Sequence, residues 1–115
     1  MAHPVVHFEV MGKDFAALTG FYGDVFGWKL APVDGMPYSL VEKEGEGIGG
    51  GIGATENGNG HVTFYVSSDD PQATMEKAVA AGGSVVMPMT DLGTVKIGLI
   101  ADPEGHVVGI VDGNG

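Results

Sequence analysis

Two short runs of β-branched and aromatic residues punctuate the chain, and each begins on a histidine: His7-Phe8-Glu9-Val10 and His61-Val62-Thr63-Phe64-Tyr65-Val66. Each is followed by a polar break, a segment of helical periodicity, and a strand that ends in proline, at 28–32 and at 85–88. The two histidines lie 54 positions apart and Pro32 and Pro88 lie 56 apart, so the register slips by only two. Such self-similarity predicts two equivalent half-units, and with them two equivalent histidines on inner strands.

Within the first copy, residues 5–10 read as a strand, with Val6, Phe8 and Val10 on one face and His7 and Glu9 on the other. The apolar face is expected to pack under a helix and the His/Glu face to look into a polar cavity. Lys13-Asp14 opens that helix, in which Phe15, Leu18, Tyr22 and Val25 recur at helical spacing and Phe21 and Phe26 widen the stripe. Asp14 suits the N-cap and Gly27 the C-terminal glycine. Strands are expected at 28–32 and 37–42, joined by an Asp34-Gly35 turn. Residues 47–53 (Gly-Ile-Gly-Gly-Gly-Ile-Gly) resemble a phosphate loop only superficially, since the lysine, the Ser/Thr and the following helix are missing. They read instead as a strand whose bare face leaves room for a ligand or another backbone. Residues 55–60, rich in Asn and Gly, form the linker. In the second copy 61–66 is a strand, Asp69-Asp70-Pro71 starts an alanine-rich helix over 72–81, and strands follow at 84–89, 95–101 and 106–111. Asp102-Pro103-Glu104-Gly105 turns tightly between the last two. The order predicts an α+β fold.

Composition narrows the function more than the fold. A chain of 115 residues is read as one domain, with module one at about 1–54 and module two at about 60–115. Fifteen acidic residues against five basic give a net charge of −10, a field that repels phosphate backbones and anionic lipid, so neither nucleic acid nor membrane is an expected partner. Without cysteine there is no disulfide, thiolate nucleophile or cysteine-ligated metal. The first residues carry no basic region followed by an apolar run, so no signal peptide is expected and a cytoplasmic location is the default. Glycine, 21 residues of 115, is concentrated at 45–60.

Several of these residues together carry a family likeness. His7, Phe21-Tyr22-Gly23-Asp24-Val25-Phe26-Gly27-Trp28, Gly60-His61, Ala80-Ala81-Gly82-Gly83 and Asp102-Pro103-Glu104-Gly105 occur in the order seen in the vicinal oxygen chelate superfamily, which this sequence resembles over nearly its whole length. That superfamily includes glyoxalase I, bleomycin-resistance proteins and extradiol dioxygenases. The resemblance implies two βαβββ modules whose curved mixed sheets form a cup, a site in that cup, and a homodimer. It also implies a divalent metal held by first- and last-strand residues of each module, and His7 and His61 match the two first-strand ligands. The last-strand glutamates have no counterpart: one position falls at Gly109, the other within the glycines at 47–53.

Two functions therefore stand side by side. One is a metal-independent small-molecule binder of the bleomycin-resistance type, taking an apolar or carbonyl-bearing ligand with His7, His61, Tyr65 and Tyr38 as polar anchors and no cofactor. The other is a lyase or isomerase of the glyoxalase type, or a dioxygenase relative. In it His7, His61 and Glu9 hold Zn, Ni, Mn or Fe, and Glu9 acts as the catalytic base. Tyr38 ranks below Tyr65 in this reading, and His106 is expected at the surface or as a cap.

Overall fold

The structure is a computed structural model and describes residues 2–55 and 59–114. Its element order is βαβββ, twice. The chain divides into two compact units, Val6–Val62 and Met1–Val5 with Thr63–Gly115.

In the first unit the strands β1 (Val5–Gly12), β2 (Leu30–Pro32), β3 (Tyr38–Val41) and β4 (Gly50–Ala54) lie in the order β2-β3-β4-β1. β1 runs parallel to β4, while β2/β3 and β3/β4 are antiparallel. Helix α1 (Phe15–Phe26) is built as the sequence implies: the Asp14 carboxylate accepts from the Ala17 N–H at 3.0 Å, and Gly27 closes the helix at φ 70°. The helix covers the face of Val10, Val41 and Ile52, against which Phe8, Phe15, Leu18, Tyr22, Trp28 and Leu30 pack. Trp28 is not part of β2. It turns inward to stack on Tyr22 (5.2 Å, 7°) and to meet Phe8 at 5.0 Å. The expected helical stripe is correspondingly narrower, for Phe21, Val25 and Phe26 are more than half exposed.

Strand β4 begins at Gly50, so Gly47 and Ile48 lie outside it. Within it, Gly50 and Ile52 face the helix and Gly51 and Gly53 the opposite side, as the pairing of Phe8 with Gly50 and of Glu9 with Gly51 requires. Gly50 makes room for the Phe8 ring, and Ile52 is fully buried.

The second unit repeats the plan. Strands β5 (His61–Ser68), β6 (Ser84–Asp91), β7 (Lys96–Ala101) and β8 (Val107–Asp112) lie in the order β5-β8-β7-β6, with β5 parallel to β8. Helix α2 (Pro71–Ala80) is capped by Asp70, whose carboxylate accepts from the Ala73 N–H at 3.1 Å, with Pro71 in its first turn. Met75 of α2 is buried, its methyl group occupying the space over Gly98 of β7. Of the predicted linker, Glu56, Asn57 and Gly58 lie outside the described residues. No helix among the described residues is long and apolar enough to cross a membrane.

Candidate functional site

The side of the first sheet that turns away from α1 carries the chemistry. Register places Leu40, Gly51 and Glu9 in one row across β3, β4 and β1, and Tyr38, Gly53 and Met11 in the next. His7 stands one pleat before Glu9 on the same face of β1. With no side chain on Gly51 or Gly53, the half-buried Tyr38 leans across β4. A Cβ on Gly51 would fall on its hydroxyl and ring, and one on Gly53 would come within 2.6 Å of its Cδ1 and 2.9 Å of Met11 Sδ. The glycines thus serve as a floor for an aromatic ring.

This posture carries the Tyr38 hydroxyl to the two polar residues of β1. It donates to Glu9 Oε2 at 3.0 Å and lies 3.0 Å from His7 Nε2. A phenol has one proton, and here Glu9 receives it. The bond with His7 must then run from Nε2–H to the phenolic oxygen, which selects the Nε2–H tautomer. Partial burial holds the His7 pKa below its ordinary value, and the neighbouring Glu9 charge only partly offsets this. The group is therefore a neutral imidazole donor, a phenol and a carboxylate acceptor in series.

The remaining sequence candidates are placed by their own strands and turns. His61 is exposed at the first position of β5 and does not enter the hydrogen-bonded group. Tyr65 is 7% exposed, its ring lying over its cross-strand partner Gly109 much as Tyr38 lies over β4. Thr63, next to it on the same face, donates to the Val107 carbonyl at 2.6 Å. His106 sits in the surface turn, where Asp102 accepts from its backbone N–H at 2.9 Å and pairs with its ring at 2.9 Å. Those bonds, the backbone one foremost, hold the Asp102 carboxyl below its usual range.

Tested against a divalent metal, the donors do not fit. A catalytic metal needs about three protein ligands. The expected set of His7, His61 and Glu9 is not gathered: among the described residues no three His, Asp or Glu side chains converge. His7 Nε2 and Glu9 Oε2 are instead both engaged by Tyr38, and tyrosine rings cover Gly51 and Gly109. The arrangement has a plain cause. Sequence spacing puts His7 and Glu9 on one face, but their occupant is a side chain from β3, and the pairing that brings it there is not visible in β1.

A cavity of about 420 Å³ in the second unit lies beside Pro4, Ser67, Asp70, Thr74 and Lys77. Part of its polar wall caps α2. Ser68 Oγ meets Thr74 Oγ1 at 2.8 Å and accepts from the Asp70 N–H at 3.2 Å, while the Asp70 carboxylate holds Ala73.

A βαβββ unit used twice in one short chain, each helix laid on one face of its sheet, defines an α+β protein of the vicinal oxygen chelate class. The chain belongs to the glyoxalase-like domain family, whose model matches residues 7–111. It is 33% identical to "Putative glyoxylase CFP32" of Mycobacterium tuberculosis over 115 aligned residues, 92% of this chain and 44% of that protein. It is 28% identical to the anthracycline biosynthesis protein DnrV of Streptomyces peucetius, over 85% of this chain and 42% of that one. The chain thus spans less than half the length of these curated relatives. Among solved structures, it is similar to methylmalonyl-CoA epimerase from Mycobacterium tuberculosis (TM-score 0.69, 17% identity, covering 93% of this chain and 85% of that one). It is also similar to the Mn(II)-bound glyoxalase from Novosphingobium aromaticivorans (TM-score 0.70, 19% identity, 94% and 38%). At these identities the structural likeness speaks for the fold.

Proposed function

We propose that this glyoxalase-like domain binds a small molecule through the His7–Tyr38–Glu9 group without a metal. The observation that carries the reading is the Tyr38 hydroxyl, bonded at 3.0 Å to both an imidazole nitrogen and a carboxylate oxygen that a metal would otherwise claim. A metal would have to displace the phenol to reach His7 Nε2 or Glu9 Oε2. Hydrogen bonding asks for less. A few polar anchors suffice to orient an apolar-bodied ligand with an oxygen function, and the imidazole, phenol and carboxylate supply them.

Titration of Mn²⁺, Ni²⁺ and Zn²⁺ into the purified, chelator-treated protein tests this by calorimetry. The expected result is no saturable one-to-one uptake that depends on His7. Stoichiometric binding in the wild type that disappears in His7→Ala would overturn the reading and favour the metal-dependent lyase or isomerase.

A further inference from the structure

The outward face of α1 is chemically unlike a solvent face. Opposite the side that carries Phe15, Leu18 and Tyr22, helical periodicity lines up Ala16, Ala17, Gly20, Phe21, Asp24 and Val25, all of them exposed. Asp24 is the one charged residue in the helix. A surface helix ordinarily turns charged residues outward, and one that is apolar all round is ordinarily covered. Gly20 adds a second observation. Glycine in a helix interior is unfavourable relative to alanine, yet Gly20 has no positive φ, and a Cβ there would meet nothing within 4 Å. The chain's own fold does not require a glycine at this position, whereas the close approach of another helix would.

We propose that this face binds the same face of a second copy of the chain, the two α1 helices packing antiparallel about a twofold axis between Ala17 and Gly20. In that register Ala17 faces the second copy's Gly20, Ala16 faces its Phe21 and Lys13 faces its Asp24, and symmetry repeats each contact. The Phe21 ring of each copy then lies in the shallow groove over Ala16, Ala17 and Gly20 of the other, a ridge set into a groove.

Charge selects this occupant. Lys13 and Asp24 are both exposed, and neither forms an ion pair among the described residues. Asp14, the acid next to Lys13, is turned into the helix by its bond to the Ala17 N–H. Antiparallel pairing therefore brings opposite charges together at both ends of an uncharged strip, whereas parallel pairing would set Asp24 against Asp24. A basic partner would leave Lys13 opposed. An anionic membrane would be repelled by the net charge of −10, and α1 has no Lys or Arg to flank its apolar face. One face of about three helical turns is smaller than the ~800 Å² per partner of a standard interface. The dimer is accordingly weak and reversible, half-assembled at on the order of 100 μM.

Sedimentation equilibrium of the purified chain between about 10 μM and about 1 mM tests the proposal. The wild type should pass from monomer to dimer and no further, since a twofold interface closes on itself. Phe21→Glu should weaken the dimer at least about tenfold. Gly20→Glu should do the same while leaving the monomer folded by circular dichroism, because its side chain enters open space there. Lys13→Glu and Asp24→Lys should each weaken association roughly threefold, and the double reversal should restore it. A chain that stays monomeric to 1 mM overturns the proposal, whether another partner or none covers the face. A dimer left intact by Gly20→Glu overturns it too, since the contact then lies on another surface. So does a double reversal that restores neither single loss.

Discussion

Gly51→Ala is the sharpest perturbation of the tyrosine-on-glycine arrangement. The added methyl would occupy the place of the Tyr38 hydroxyl and ring carbon Cζ and lie 2.6 Å from Cε2, so the ring must leave. Two effects oppose one another. Alanine in a strand gains roughly 0.5–1 kcal/mol over glycine in backbone terms. Against this, overpacking costs about 1–3 kcal/mol. The displaced phenol also gives up its bonds to His7 and Glu9, worth about 1 kcal/mol together at a half-exposed site, below the range for buried charge-assisted pairs. The balance is a loss of about 2 kcal/mol. With an unfolding entropy of about 2.1 cal/mol/K per residue, 115 residues convert this into a drop in Tm of roughly 8 °C. Urea unfolding followed by fluorescence of Trp28, the single tryptophan, gives the free energy directly. In a Tyr38→Ala background the same Gly51→Ala change should be neutral or stabilising, so a double-mutant cycle should return a coupling above about 1 kcal/mol. A wild-type protein that tolerates Gly51→Ala without loss, or an equal loss in both backgrounds, would refute the claim that Gly51 is bare in order to seat Tyr38.

Two further outcomes test separate parts of the structure. Because the folded His7 pKa lies below its ordinary value, the unfolded chain takes up this proton first as pH falls. Its contribution is therefore complete above about pH 6.5 and is lost as pH drops from there toward the folded pKa. Unfolding free energies at pH 7.5 and 5.5 should differ more in the wild type than in His7→Gln, and equal differences would remove His7 as the cause. At the start of α2, Asp70→Ala should cost about 1 kcal/mol and Asp70→Asn much less, since asparagine can also accept from the Ala73 N–H. Equal losses in urea unfolding would show that the cap is not what Asp70 contributes.

The elements were written in local patterns, and the structure follows them closely. Asp14 and Asp70 cap the helices they precede, Gly27 closes α1 in a left-handed conformation, and Gly35 and Gly105 take the positive φ their turns need. Each signal acts within a few residues, so a linear reading captures it. The His/Glu alternation in β1 likewise announced its own polar face. The helical stripe was read too broadly, because periodicity marks which residues share a face but not how far the sheet beneath extends. Hence Tyr22 packs against the core while Phe21, Val25 and Phe26 remain exposed.

The sequence by itself determined the duplicated βαβββ order, the absence of carboxylates on the glycine-rich strand, and the placing of His7 and Glu9 side by side. Only tertiary structure decided what stands between them. Tyr38 reaches Glu9 and His7 from 29 and 31 residues away, because β3 pairs with β4, β4 pairs with β1, and the glycines of β4 let a ring lie across the gap. Strand register is a property of pairing rather than of either strand, and so no pattern confined to one segment could have set Tyr38 against His7 and Glu9.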